Sequence, residues 1–319
     1  MPFKLTRSKA VAGLECTNHG LRMAVVKPKR AVFVRSQEIY ADSPDWYHGE
    51  GLDNMTEALK QAVRHQRLYG AGAVITLPND QWLLRYMTFP VMPKEQLRQA
   101  IELELNVSIH LPFEDAVFDV ASVQTLTDQT VEGEQTVAMI ATSRDLVERL
   151  AGMAENAGLV PRAIEVLPLS VGRLLQQTEA ITATLSYAVL YLDGTDVTIS
   201  IFVGSSLYFH RQLGDLLSEV EESAHVHLSV RDLAVEINRV VDFFQHTLSS
   251  GARHVADLFL HIGITDSMSD DANPLETQLA EELPQLNVHK VDIEGVRRRR
   301  GLFPPFYPAV GMALKGARG

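Results

Sequence analysis

The sequence predicts an α/β protein built as two lobes with a cleft between them. Three observations predict it. A strand–turn–strand–turn–strand meander occurs twice, at Ala10 to Tyr40 and at Ser186 to Gly214. Each copy is followed by amphipathic helices alternating with buried-type strands. A strand–helix–strand block, from Pro78 to Glu165, interrupts the first half.

In the first meander, "AVAGLECTNHGLRMAVVKPKRAVFVRSQEIY", Asn18-His19-Gly20 and Lys27-Pro28-Lys29 are the turns. In the second, "SYAVLYLDGTDVTISIFVGSSLYFHRQLG", Asp193-Gly194 and Gly204-Ser205 supply the turn chemistry. Glu15 ends the first strand of one copy and Asp193 that of the other, 178 residues apart (193 − 15). That distance marks a duplicated supersecondary unit rather than a short-period solenoid.

Between the copies, Thr56 to Leu68 reads as a helix with Leu59, Ala62, Val63 and Leu68 on one side, and Ala73 to Pro78 as a buried strand. Trp82 to Pro90 is extended. Met92 to Leu105 is a helix with Pro93 in its first turn and a stripe of Leu97, Ile101 and Leu105. Two strands follow, then the helix Arg144 to Leu159, closed by Gly158, and the return strand Arg162 to Pro168. After the second meander, Ser229 to Leu248 is a helix that Ser229 or Asp232 can cap. The strand Asp257 to Ile264, a polar loop, a helix, the strand "NVHKVDI", the connector "RRRRGLFPPFYP" and the helix Ala309 to Gly316 complete the chain.

Composition narrows the function. A net charge of −11 argues against a general nucleic-acid binder, which needs a dominant basic field. The single cysteine, Cys16, excludes an internal disulfide framework and fits a reducing compartment. Glu15 cuts the apolar run after Lys4, Arg7 and Lys9 too early for a signal segment. No stretch approaches the roughly 20 apolar residues of a membrane span. The expectation is a soluble, cytosolic protein.

The residues now laid out resemble the PilM family, the actin-like, FtsA-related proteins of type IV pilus assembly. The block carries the most specific likeness: Pro90-Val91-Met92-Pro93, the acidic helix with Glu102 and Glu104, Leu111-Pro112-Phe113, and Phe118-Asp119-Val120. The meanders, "EINRVVDFF" and "PAVGMALKG" fall in the family's order. The resemblance implies an actin-like two-lobed fold, two RNase H-like domains with an inserted α+β subdomain of the FtsA type. Its expected bounds are 1–77, completed by 166–186 and 305–319, for the first lobe; 78–165 for the insertion; and 187–304 for the second lobe.

The resemblance also implies an ATP/Mg site between the two hairpins, where backbone N–H groups and small residues admit phosphate. Its residues would be Gly13, Glu15, Thr17, Asp193, Gly194, Thr195, Glu236 and Gly263. Each motif departs from the family pattern. Glu15 stands for Asp, Cys16 for Gly, Gly214-Asp215 for a Gly-Gly pair, and only Gly263 follows the strand Leu260-His261-Ile262. The site is therefore expected to be vestigial, with weak or absent nucleotide binding, no hydrolysis, no catalytic residue and no metal centre. Glu236 is expected exposed and paired with Arg239. His225-Val226-His227 reads as a surface loop, Cys16 lacks a nucleophile motif, and Arg297 to Arg300 read as a solvated loop.

By the same resemblance the protein is a structural adaptor at the inner face of the cytoplasmic membrane. It would bind the cytosolic tail of a PilN-like membrane protein, reaching the membrane only through that partner, with self-association possible. Trp82, Leu84, Tyr86, Phe118 and Val120, on two candidate edge strands, are the expected tail-binding residues, although Trp82 and Tyr86 share one side of a strand as core residues do. The alternatives are an ATPase or kinase of the superfamily, or a GspL-like type II secretion component.

Overall fold

The computed structural model describes residues 10–27, 32–107, 111–113, 115–126, 132–177, 181, 185–194, 196–213, 229–263, 275–291 and 304–317. The first lobe is a five-stranded sheet. Strands β1 (Val11–Thr17), β2 (Gly20–Lys27) and β3 (Val32–Tyr40) form an antiparallel meander. Strands β4 (Gly72–Thr76) and β8 (Val160–Glu165) then add in parallel, giving the order β3-β2-β1-β4-β8.

The second lobe repeats this plan. Strands β9 (Ser186–Asp193), β10 (Asp196–Val203) and β11 (Ser206–Gln212) form the meander. Strands β12 (Val255–Ile262) and β13 (Asn287–Lys290) add in parallel, in the order β11-β10-β9-β12-β13. The repeat extends to detail. The first turn joins Thr17 to Gly20 in one copy and Asp193 to Asp196 in the other, an offset of 176 (193 − 17). The register shifts at Val25/Val26 and at Ile201/Phe202, again 176 apart (201 − 25). Thr17, rather than Glu15, therefore holds the place of Asp193. Glu15 lies two residues inside β1 and corresponds to Tyr191.

Helices lie on both faces of each sheet, so strands such as β1 and β9 are buried along their whole length. Helices α1 (Gly49–Gln66) and α3 (Arg144–Asn156) bring Met55, Leu59, Leu146 and Leu150 into the first-lobe core. Helices α4 (Leu167–Leu175) and α7 (Tyr307–Ala317) fill the space between the two sheets. Gly13 lets α7 approach β1: a Cβ there would lie 2.8 Å from the carbonyl carbon of Ala309 and 2.9 Å from the Ala313 nitrogen. Gly172 on α4 faces the Phe202 ring of β10. Helices α5 (Val230–Asp242) and α6 (Leu275–Glu282) cover the outer face of the second sheet with Leu233, Ile237, Val240 and Leu279. Ser229 caps α5 by accepting the Asp232 N–H at 3.3 Å. The helix expected through Leu248 stays α-helical to Asp242 and continues as a π-helical turn over Phe243–Leu248.

The inserted subdomain is a three-stranded antiparallel sheet, β5 (Trp82–Pro90), β7 (Glu134–Ser143) and β6 (Ala116–Val123) in that order, with helix α2 (Lys94–Val107). Leu97 and Ile101 of α2 pack on Val137, Met139 and Ala141. The expected insertion of 78–165 is too long. β8 pairs with β4, and α3 buries its apolar stripe in the first-lobe core. The reason is topological. β4 and β8 are parallel neighbours and need a crossover helix, and α3 is that helix. The insertion interrupts the crossover before α3, and so ends near Ser143.

Among the described residues, no helix is long and apolar enough to cross a membrane.

Candidate functional site

Strand alternation turns Gly13, Glu15 and Thr17 of β1 toward the space between the lobes. It turns Tyr187, Val189, Tyr191 and Asp193 of β9 toward the same space. Cross-strand pairing puts Arg22 of β2 opposite Glu15. The two hairpin ends therefore face each other, and charged side chains meet between them.

Arg22 crosses from the first lobe to the second. Its Nη1 donates to Asp193 Oδ2 at 2.7 Å and its Nη2 to Asp193 Oδ1 at 2.8 Å, while Nε donates to Glu38 Oε1 at 3.0 Å. The Arg22 side chain is 0% exposed and that of Asp193 1%. Tyr191 crosses in the opposite sense, its hydroxyl 2.9 Å from Glu15 Oε1 and 3.2 Å from Asp193 Oδ2. Burial raises the Glu15 carboxyl from 4.5 to about 8. Arg22 opposes that rise and Asp193 adds to it. Glu15 thus holds its proton at neutral pH.

The glycines of the expected site are closed off by the chain itself. A Cβ at Gly194, which has φ of 58°, would lie 2.7 Å from His19 Nε2 of the opposite hairpin. A Cβ at Gly263 would lie 2.8 Å from the Asp193 carboxyl carbon. Thr17 closes its own turn, its Oγ1 accepting the His19 N–H at 3.1 Å. Thr195, Asp215, His225 to His227 and Arg297 to Arg300 lie outside the described residues. The donors and small residues implied for ATP/Mg therefore do not fit the group as they stand. Both Asp193 oxygens accept from a guanidinium, and Gly13 admits a helix.

Glu236 corrects an expectation. It pairs with Arg239, but it is buried rather than exposed. Residue 236 lies one turn from Leu233 and beside Ile237, on the apolar flank of α5. Cys16 is buried and its thiol is pushed up by burial, which makes it a poor nucleophile.

The residues expected to receive a tail divide between two faces. Trp82, Leu84 and Tyr86 turn inward. Trp82 stacks on His210 with ring centroids 4.3 Å apart. Tyr86 stacks on Tyr208 at 5.6 Å, and its hydroxyl donates to the Leu207 carbonyl. Leu84 packs against the first-lobe core. Phe118 and Val120 sit against α2, with the Arg98 guanidinium 4.8 Å over the Phe118 ring. All five side chains therefore make contacts within the chain. The backbones of β5 and β6 form the two edges of the inserted sheet.

Sequence reasoning did not single out Arg22, Tyr191, Glu38 or His261. Arg22 had a usable signal, because the turn at Asn18-His19 places it opposite Glu15. His261 is buried against Tyr191, with neither ring nitrogen hydrogen-bonded to the described residues, and burial lowers it from 6.5 to about 3. Asn79 Nδ2 donates to Asp196 Oδ2 at 2.7 Å, a further bond between the halves, and burial raises Asp196 to about 6. Among the described residues, no group of three or more His, Cys, Asp or Glu could hold a metal ion.

No protein-family model and no curated protein matches the chain. Among solved structures it is similar to a chain of a PilM–PilN type IV pilus biogenesis complex. That likeness has 20% identity and a TM-score of 0.72, and covers 98% of this chain and 99% of the other. It is also similar to the cytoplasmic domain of EpsL, an inner membrane component of the type II secretion system of Vibrio cholerae, with 11% identity, 87% and 96% coverage and a TM-score of 0.50. A third likeness is to the ethanolamine utilization protein EutJ of Carboxydothermus hydrogenoformans, with 12% identity, 98% and 91% coverage and a TM-score of 0.50. The shared architecture is the actin-like, two-lobed α/β fold.

Proposed function

We propose that this protein is a non-enzymatic adaptor of pilus assembly. It captures the cytosolic tail of a PilN-like membrane protein and is held by that partner at the inner face of the cytoplasmic membrane. The observation that carries the reading is the likeness, over almost the whole of both chains, to a component of a complex named for PilM and PilN. Two features support it. The inserted sheet has two edge strands, β5 and β6, to which an extended tail can add by backbone hydrogen bonds. The net charge of −11 favours encounter with a tail carrying Lys or Arg.

The inward set of Trp82 and Tyr86 moves the expected contact from their side chains to the outer backbone edges. The nucleotide site is read as vestigial, supported by Arg22 on Asp193 and by the close packing at Gly13, Gly194 and Gly263. The likeness to EpsL supports a second reading, a component of a type II secretion system.

The test is titration of the full chain with a synthetic peptide of the candidate partner's tail, followed by amide exchange. Micromolar binding with protection at β5 or β6 is the expected result. Protection confined to the second lobe, or no binding, refutes it. In the same instrument, magnesium-ATP should give no binding heat at micromolar protein.

A further inference from the structure

We propose that Arg22 is a built-in cation that holds the two lobes shut, so that closure needs no bound ligand. The inference rests on the geometry between the hairpins and is independent of tail capture.

Two carboxylates bind this guanidinium, Asp193 from the second lobe and Glu38 from the first, and the protonated Glu15 lies opposite it on β1. The bond to Asp193 is bidentate, with both N–H···O distances under 3 Å, a fork geometry that fixes orientation as well as distance. A lysine offers a point charge and cannot reproduce it. Tyr191 completes the ring, joining Glu15 to Asp193 from the other side. The link is therefore doubled, with one group from each lobe reaching across.

The energetic argument lies in what remains when the cation is removed. A buried pair is of modest net worth against an apolar replacement, but one partner alone leaves an uncompensated charge in a dry place. Without Arg22, Asp193, whose side chain is 1% exposed, regains water only if the lobes part, whereas Glu38 already reaches solvent on the first lobe. Removing the Asp193 charge as well relieves that demand. The pair thus sets an angle between lobes, whereas the apolar contacts around α4 and α7 set only their proximity.

The experiment compares the wild-type full chain with Arg22→Met, Arg22→Lys and the double variant Arg22→Met/Asp193→Asn. Small-angle scattering reads compactness, and amide exchange reads the β1–β2 and β9–β10 hairpins. Arg22→Met is expected to raise the radius of gyration and to speed exchange in both hairpins at least ~10-fold, the factor that follows from losing ~1.4 kcal/mol of closure. Helices α1 and α5, on the outer faces, should keep wild-type protection. Arg22→Lys should fall between, and the double variant should recover most of the protection. Two results would overturn the proposal. One is wild-type compactness and protection in Arg22→Met. The other is loss of protection spread equally to α1 and α5 and not recovered in the double variant, which would make Arg22 a general folding residue.

Discussion

Glu15→Gln should remove a fall in stability that the wild-type protein shows between pH 6.5 and 8. Glu15 is fully buried, and burial lifts its carboxyl from 4.5 to about 8. A carboxyl with a raised folded value contributes stability at low pH and loses it as pH rises through that value. Asp196 behaves in the same sense, but its change is complete near its folded value of about 6. His210 and His261 act in the opposite sense. Burial lowers both from 6.5 to about 3, so their contribution grows until the pH is well above 6.5, equally in wild type and Glu15→Gln. The difference between the two proteins over the window from 6.5 to 8 therefore isolates Glu15. Its width of about 1.5 units, at ~1.4 kcal/mol per unit, gives a loss of about 2 kcal/mol. Glutamine keeps the shape and the acceptor for the Tyr191 hydroxyl but cannot ionise. The assay is urea denaturation of both proteins at pH 6.5 and 8.5, with equal m-values as the control. Wild type should lose about 2 kcal/mol relative to Glu15→Gln between the two pH values. An equal fall in both would refute the assignment of Glu15 as the buried neutral acid.

Gly13→Ala should destabilise the first lobe by about 3 kcal/mol, the upper end for overpacking, because the new Cβ meets helix backbone rather than a movable side chain. A thermal melt unchanged from wild type would count against the close approach of α7. Tyr86→Phe should cost about 1 kcal/mol, by leaving the Leu207 carbonyl without its partner hydroxyl. The loss should be accompanied by faster amide exchange in β5 and β11 alone, and uniform exchange changes would argue against a local docking bond.

The two meanders could be read from the chain because their turn residues are local signals: Asn18-His19-Gly20 in one, Asp193-Gly194 and Gly204-Ser205 in the other. The extent of the insertion could not be read in the same way. Helix α3 follows β7 directly in sequence, and its membership of the first lobe depends on β8 pairing with β4, a long-range event without a local mark. Glu15 and Asp193 both face the space between the lobes, but their register has no mark in residue type. Alignment by residue type paired them with each other, whereas hydrogen-bond register pairs Glu15 with Tyr191 and Thr17 with Asp193. What occupies the cleft depended on a single arginine whose partners are 16 and 171 residues away. The burial of Glu236 depends on packing between elements, whereas the placing of Trp82 and Tyr86 on one side of a strand is a spacing signal that already marks them as core residues.

The inserted sheet rests on both halves of the molecule. Trp82 and Leu84 join the core of the first lobe, while Tyr86, Val123 and Leu126 join that of the second. It is a strut, and a strut transmits force in either direction. Any change in the angle between lobes strains its seat on one side. Any molecule that grips its outer edge and prefers one seating biases the angle by the same free energy, since coupling between two sites is reciprocal. Force applied to that outer edge would bear first on the seats at Trp82 and Tyr86.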